Sequence, residues 1–271
     1  MPPRGWQWDP TLFLGTAEYY ERGRLPYPAG LADALSGALG LDGNGRLLDV
    51  GCGPGSLGLL FASLFQEVVG VDADSDMLAQ ALARAEEGGV RNALWVHAMA
   101  EDLPLDLGTF RVASFGASFH WMDRDRVAAI IFEMLEPGGA FVQVSCTREL
   151  PPHGEDIVKV LRVRYLGETR RAGQGLLAHG TPGDEDSVLR RAGFSEAERV
   201  HVPGGQPLLR TIDDIVAMVH SNSALAPHLF GDRLADFDAD LRAQLAAVEP
   251  SGEFIQPIPD AELAIWRRPS L

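Results

Sequence analysis

Apolar and polar positions follow two interleaved rhythms along the first half of the chain. Short apolar runs at 46–50, 68–72, 93–97, 110–115 and 139–146 each close near a glycine, an aspartate or a polar turn, and predict strands. Between them, 57–65, 75–87 and 124–135 carry apolar residues at three- and four-residue steps and predict helices. Strands alternating with helices predict an α/β fold built on a doubly wound, parallel sheet. Two further helices, at 11–24 and 30–39, are expected outside it or across its top.

After Cys146 the rhythm changes. Helices are expected at 154–167, 185–192, 211–221 and 231–248, and strands at 194–202 and 261–267. In the long helix Leu234, Phe237, Leu241, Leu245 and Val248 form one stripe, which reads as packing against a core.

Composition narrows the classes. With 271 residues the chain can form one large domain or two small ones, and 46% apolar side chains can bury a substantial core without staples or metals. A net charge of −15 argues against a nucleic-acid partner, since tracking a phosphate backbone needs a basic face. Cys52 and Cys146 lack the spacing of a zinc site or a redox pair, and the scattered histidines form no metal-ligand set, so no metal is expected. Pro2, Pro3, Arg4, Trp6, Trp8 and Asp9 stand where a signal peptide needs an apolar core, and no apolar run approaches a membrane span. The expectation is a soluble cytoplasmic protein without a membrane partner; nothing points to an oligomeric state.

The strongest chemical signal is 47–58, Leu-Leu-Asp-Val-Gly-Cys-Gly-Pro-Gly-Ser-Leu-Gly. A strand runs into a turn with glycine at alternate positions, and a helix follows. Such a turn lets a ligand approach main-chain groups that a Cβ would block. The stretch contains Gly53-x-Gly55-x-x-Gly58, a literal dinucleotide fingerprint, so the turn alone admits a nicotinamide cofactor. Asp49 opposes that reading, because a carboxylate at the strand end suits a cationic ammonium and repels a pyrophosphate. Asp72, ending the next strand, suits ribose hydroxyls under either reading.

Two further segments complete the pattern: Ala100-Glu101-Asp102-Leu103-Pro104, and Gly116-Ala117-Ser118-Phe119-His120-Trp121 after the fourth strand. With Asp49-x-Gly-x-Gly-x-Gly, Val71-Asp72-Ala73 and the entry segment 20–28, the chain resembles the small-molecule (type 11-like) branch of the class I S-adenosylmethionine-dependent methyltransferases. The resemblance covers nearly the whole chain and implies a Rossmann-like seven-stranded sheet whose last strand is antiparallel. Residues 1–40 would form N-terminal lid helices, 41–146 the cofactor-binding core, and 147–193 and 203–260 helical insertions over the acceptor.

The resemblance also implies roles. Asp49, Gly51, Cys52, Gly53 and Gly55 would wrap the methionine part of S-adenosyl-L-methionine, and Asp72 would hold the ribose. Ala73, Met77, Ala100 and Glu101 would meet the adenine; Met99 stands where many relatives place an aspartate, leaving adenine recognition to backbone groups. Tyr20 and Arg24 would reach the cofactor carboxylate, and Ser118, Phe119 and His120 would lie over the reactive methyl. His120 is either the base that deprotonates an oxygen acceptor or part of the pocket wall beside an acceptor that arrives ionised.

Lys159, Arg162, Arg164, Arg170 and Arg171 outweigh Glu168 in the first insertion, which reads as a solvated helix face or as the mark of an anionic acceptor. The position after the fourth strand lacks an Asn/Asp-Pro-Pro-Tyr segment, moving the expectation away from DNA bases and protein amides. Arginine outnumbers lysine so heavily, with Lys159 the one lysine, that the composition reads as GC-rich, and a secondary metabolite is the expected acceptor. A nicotinamide-dependent oxidoreductase and a non-catalytic S-adenosylmethionine-binding protein remain the alternatives.

Overall fold

The computed structural model describes residues 9–146, 150–168 and 183–270. Its elements run α1 (Ala17–Gly23), α2 (Leu31–Leu39), β1 (Arg46–Val50), α3 (Ser56–Phe61), β2 (Glu67–Asp72), α4 (Ser75–Glu87), β3 (Ala93–His97), β4 (Phe110–Gly116), α5 (Arg124–Met134) and β5 (Leu135–Cys146). There follow α6 (Gly154–Leu166), α7 (Glu185–Ala192), β6 (Glu198–Val202), β7 (Leu208–Thr211), α8 (Ile212–His220), α9 (Leu234–Val248), β8 (Glu253–Gln256) and β9 (Ala261–Arg267).

Seven strands form one sheet in the order β3-β2-β1-β4-β5-β9-β6, with β9 antiparallel to both neighbours, as the resemblance implies. Strand side chains alternate between faces, and both faces are apolar because helices cover each. Leu48, Val50, Val69, Val71, Phe115 and Phe141 pack on one side under α5 and α7. Leu47, Val68, Val112, Val142 and Ile265 pack on the other under α2 and α3. A third apolar cluster lies among α6, α8 and α9, where Phe237, Leu241 and Leu245 are fully buried; Val248, last in the expected stripe, is 45% exposed.

Several boundaries move for local reasons. The expected helix at 11–24 is a series of turns up to Gly15 and α-helix only from Ala17. The expected 57–65 helix ends at Phe61 and tightens into a 3₁₀ turn over 62–64. Strand 194–202 shortens to Glu198–Val202, because Phe194 turns into the core against Phe132 and Phe141. The paired strands β7 and β8 lie in a segment expected to be helical and form a separate two-stranded antiparallel ribbon. Arg170 and Arg171 of the basic stretch lie outside the described residues.

The N-terminal segment packs against α8 and the turns that follow it. Gly23 ends α1 against α8, where a Cβ would lie 2.4 Å from the Ala217 carbonyl oxygen. Arg22 pairs with Asp214 at 2.7 Å, and His228 Nδ1 lies 2.9 Å from the Leu14 carbonyl. Thr211 and Asp214 close a reciprocal cap at the start of α8, which fixes where that helix meets β7. Among the described residues no helix is long and apolar enough to cross a membrane.

Candidate active site

The carboxyl ends of β1, β2 and β4 converge on the glycine-rich turn. Gly51 leaves β1 at φ +64° and, with Cys52, donates its N–H to the Val71 carbonyl. The Gly53 N–H donates to Asp72 Oδ2 at 2.7 Å, and Asp74 N donates to Oδ1 at 2.9 Å. Asp49 is buried beneath the turn. Its Oδ1 accepts from Ser114 Oγ at 2.8 Å and its Oδ2 accepts from the Gly58 N–H at 2.9 Å, in the first turn of α3.

That last contact separates the two cofactor readings. In a dinucleotide fold a pyrophosphate takes the N–H groups at the helix start. Here the Asp49 carboxylate takes one of those N–H groups, that of Gly58, and the N–H groups of Gly51, Cys52 and Gly53 all point to protein acceptors. The arrangement repels an anion and favours a cation near the turn.

Electrostatics agree. Burial pushes the Asp49 carboxyl up to about 6, against the pull of its two hydrogen bonds. Burial also raises Asp72, partly offset by the N–H groups of Asp74 and Gly53, and raises Glu101, whose Oε1 accepts from Asp123 N at 2.7 Å. At all three carboxyls bordering the site burial thus outweighs the hydrogen bonds and, at Glu101, the nearby Arg126. The Cys52 thiol is pushed well up by burial and by Asp72 and Asp49, which removes it as a nucleophile.

Two cavities meet at the turn. One, of about 90 Å³, is lined by Asp72, Ala73, Met77, Ala100, Glu101 and Ser118, together with Phe13, Met99, Trp121 and Met122. The other, of about 820 Å³, is lined by Arg24, Asp49, Cys52, Arg84 and Arg210. Tyr20, Gly51, Gly53 and Gly116 border both, so the two form one cleft along the strand ends. A Cβ on Gly53 would meet nothing within 4 Å and would project into that cleft.

Most residues expected at the site border this cleft, and three line neither cavity. Gly55 borders neither cavity; a Cβ there would lie 2.6 Å from Trp95 Cη2, so the glycine serves close packing of the turn. Phe119 is buried in the core, edge-on to Phe115 and Phe141 at 5.2 and 5.1 Å, and does not touch the cleft. His120 also stands off both cavity walls, with its ring 4.9 Å from that of Trp121. In the 3₁₀ turn that holds these residues, successive side chains diverge by about 120°, so Ser118 faces the cleft while its two successors do not.

Sequence reasoning missed Phe13, Met122 and Arg210. Phe13 meets Trp121 edge-on at 5.7 Å and roofs the smaller cavity from the N-terminal segment. No local motif marks it.

A family model described as a methyltransferase domain matches residues 47–139. An uncharacterised methyltransferase of Synechocystis sp. is 33% identical over 163 residues, 59% of this chain and 71% of that protein. The uncharacterised methyltransferase YcgJ of Bacillus subtilis is 33% identical over 100 residues, 36% of this chain, and the match spans only 40% of YcgJ. Its crystal structure superposes over 89% of this chain and 98% of its own, with TM-score 0.52 and 19% identity, a likeness of fold. The S-adenosyl-L-methionine-dependent Diels-Alderase iccD of Talaromyces variabilis is 28% identical over 204 residues, 69% of this chain and 68% of that protein.

Proposed function

The chain belongs to the class I S-adenosylmethionine-dependent methyltransferases, and from that premise we propose that it transfers a methyl group from S-adenosylmethionine to a small organic acceptor. The observation that carries the reading is Asp49 capping α3, which places a buried carboxylate where a dinucleotide would need an open anion site. The residues present fit the cofactor. Met77 and Met99 offer an apolar slot for a purine, Asp72 an acceptor for hydroxyls, the three carboxyls a field for a cation, and Arg24 a partner for a carboxylate.

Bound in this cleft, S-adenosylmethionine supplies an electrophilic methyl group on a sulfonium. The protein's part is positioning. Gly51 and Gly53 leave room along the turn, Tyr20 closes the cleft from α1, and Ala117, Ser118, Trp121 and Met122 shape the wall beside β4. Holding acceptor and donor in line supplies most of the acceleration such a displacement requires. The proposed acceptor arrives ionised, as a phenolate or carboxylate, because positioning alone then suffices. The apolar wall of Phe13, Trp121 and Met122 supports a small organic acceptor over a nucleic acid or protein side chain, and a secondary metabolite in the cytoplasm is the proposed setting.

A second reading has its own support. A wall of Phe13, Trp121 and Met122 also suits folding of an apolar substrate for a cyclisation without methyl transfer, and iccD carries a Diels-Alderase name. One experiment separates these. Calorimetry is run with S-adenosylhomocysteine and with NAD, followed by incubation with methyl-labelled cofactor and host metabolite extract. A labelled product supports methyl transfer, and a converted metabolite without label or mass change supports cyclisation. Binding without any conversion leaves a non-catalytic binder, and tight binding of NAD alone would overturn the cofactor reading.

A further inference from the structure

Arg210 sits in β7, within the second insertion, and is 7% exposed. Its Nη2 donates to the carbonyls of Arg22 at 2.7 Å, Gly23 at 3.1 Å and Asp214 at 3.2 Å. Two of these acceptors are the last residues of α1. Its Nε has no hydrogen-bond partner among the described residues, and the side chain lines the larger cavity, which the glycine-rich turn also borders.

A buried guanidinium normally sits against a carboxylate, because neutral carbonyls do not balance its charge. Among the described residues none forms an ion pair with Arg210. The nearby Asp214 carboxylate is taken by Arg22 at 2.7 Å and by the Thr211 N–H and hydroxyl, each at 2.8 Å. Burial accordingly pulls the Arg210 guanidinium below the ordinary arginine range. The side chain thus borders the cavity with a charge that no described carboxylate pairs, and Arg24 borders the same space.

We propose that Arg210 binds the carboxylate of the cofactor's amino-acid moiety together with Arg24, so that a residue of the insertion completes the cofactor site. The inference rests on the S-adenosylmethionine reading above. The same guanidinium grips the end of α1, so carboxylate binding and seating of that helix over the cleft are one event. With Nη2 held by three carbonyls, the carboxylate takes the N–H groups of the guanidinium that remain.

The test compares S-adenosylhomocysteine with 5′-methylthioadenosine, which keeps the nucleoside and thioether but lacks the amino-acid portion. Both are titrated by calorimetry into the wild type, Arg210→Met, Arg24→Met and the double variant. Loss of a charge-assisted bond predicts that Arg210→Met weakens S-adenosylhomocysteine about tenfold to a hundredfold and methylthioadenosine by less than about threefold. In the Arg24→Met background, Arg210→Met should still weaken S-adenosylhomocysteine by about threefold or more.

Equal loss for both ligands would make Arg210 only a clamp on α1 and overturn the inference. So would an unchanged affinity, or no further loss in the Arg24→Met background. If circular dichroism shows Arg210→Met unfolded, Arg210→Lys replaces it; a single ammonium cannot serve the α1 carbonyls and a ligand as separate guanidinium nitrogens do, and a loss confined to S-adenosylhomocysteine is again expected. A wild type that fails to bind S-adenosylhomocysteine overturns the cofactor reading itself, whereas a binding wild type with an indifferent Arg210→Met overturns the inference alone.

Discussion

Gly51 and Ser118 meet across the strand ends so closely that a Cβ on the glycine would lie 2.5 Å from that of the serine. Ser118 Oγ donates to the Val50 carbonyl at 2.6 Å, while the Gly51 N–H donates to Val71 at 2.8 Å. The ends of β1, β2 and the turn after β4 are thereby tied at one point. The cleft opens beside that knot, so the floor of the site is as rigid as the sheet edge.

Gly51→Ala should therefore be costly on two counts. Its φ of +64° penalises a Cβ by about 1–2 kcal/mol, and overlap with Ser118 adds about 1–3 kcal/mol. Adding Ser118→Gly removes the overlap but not the backbone penalty. Urea unfolding should show the double variant less destabilised than the sum of the singles. Simple additivity would mean that the two residues do not constrain each other.

Trp121 and His120, adjacent in sequence, should behave differently. Trp121 lines the cleft and meets Phe13, so Trp121→Ala is expected to lower kcat/KM for the acceptor found by label transfer at least about tenfold, through lost positioning. His120→Ala should change kcat/KM by less than about threefold, since its ring stands off the wall and a positioned general base is worth about a hundredfold or more. A hundredfold loss with His120→Ala, rescued at high pH, would instead make that imidazole the base.

The difference between these neighbours marks how far sequence reasoning reaches. Asp49, the alternating glycines and Asp72 were legible because strand ends punctuate the chain with residues whose conformation or charge only such a turn requires. The sheet was legible because both of its faces are buried, leaving continuous apolar runs. The direction of single side chains in the turn after β4 was not, since a 3₁₀ turn sends Phe119 to the core and Ser118 to the cleft without any change in polarity pattern to announce it. Arg210 was invisible for another reason: its partners Arg22 and Gly23 lie 188 and 187 residues away. The ribbon of β7 and β8 was missed because each strand has four residues, and the facing pair Leu209 and Ile255 is exposed at 61% and 70%.

Gly23→Ala tests whether α1 and α8 act together. A methyl group there would sit 2.4–2.7 Å from the backbone of Ala217 and Met218, atoms that cannot swing aside. The helices should part, costing about 1–3 kcal/mol of stability, and Tyr20 and Arg24 should move with α1. Calorimetry should show weaker binding of S-adenosylhomocysteine, and limited proteolysis should show faster cutting in the N-terminal segment. Leu82→Ala, at a position 52% exposed on α4, provides the comparison and should shift stability by less than about 0.5 kcal/mol. Wild-type affinity in Gly23→Ala would mean that the cleft does not depend on this helix contact.

Asp49 makes a prediction about pH with a definite sign. Its carboxyl titrates near 3.8 when unfolded and at about 6 in the folded chain, so between those values the folded state holds more protons than the unfolded one. Stability should then fall as pH rises from about 4 to about 6, by up to about 3 kcal/mol from this group, and level off above it. Asp49→Asn keeps an acceptor for the Gly58 N–H and removes the charge. The difference between variant and wild type in urea midpoint should therefore be small at pH 4 and favour the variant at pH 7. Ligand binding should run the other way. A cationic ammonium beside Asp49 lowers its pKa, so wild-type affinity for S-adenosylhomocysteine should rise from pH 5 to pH 7, with protons released near pH 6. Calorimetry in buffers of different ionisation heat measures that release. Asp49→Asn should show weaker binding with a much flatter profile over the same range. A variant that binds as tightly as the wild type, with the same pH dependence, would remove Asp49 from the site.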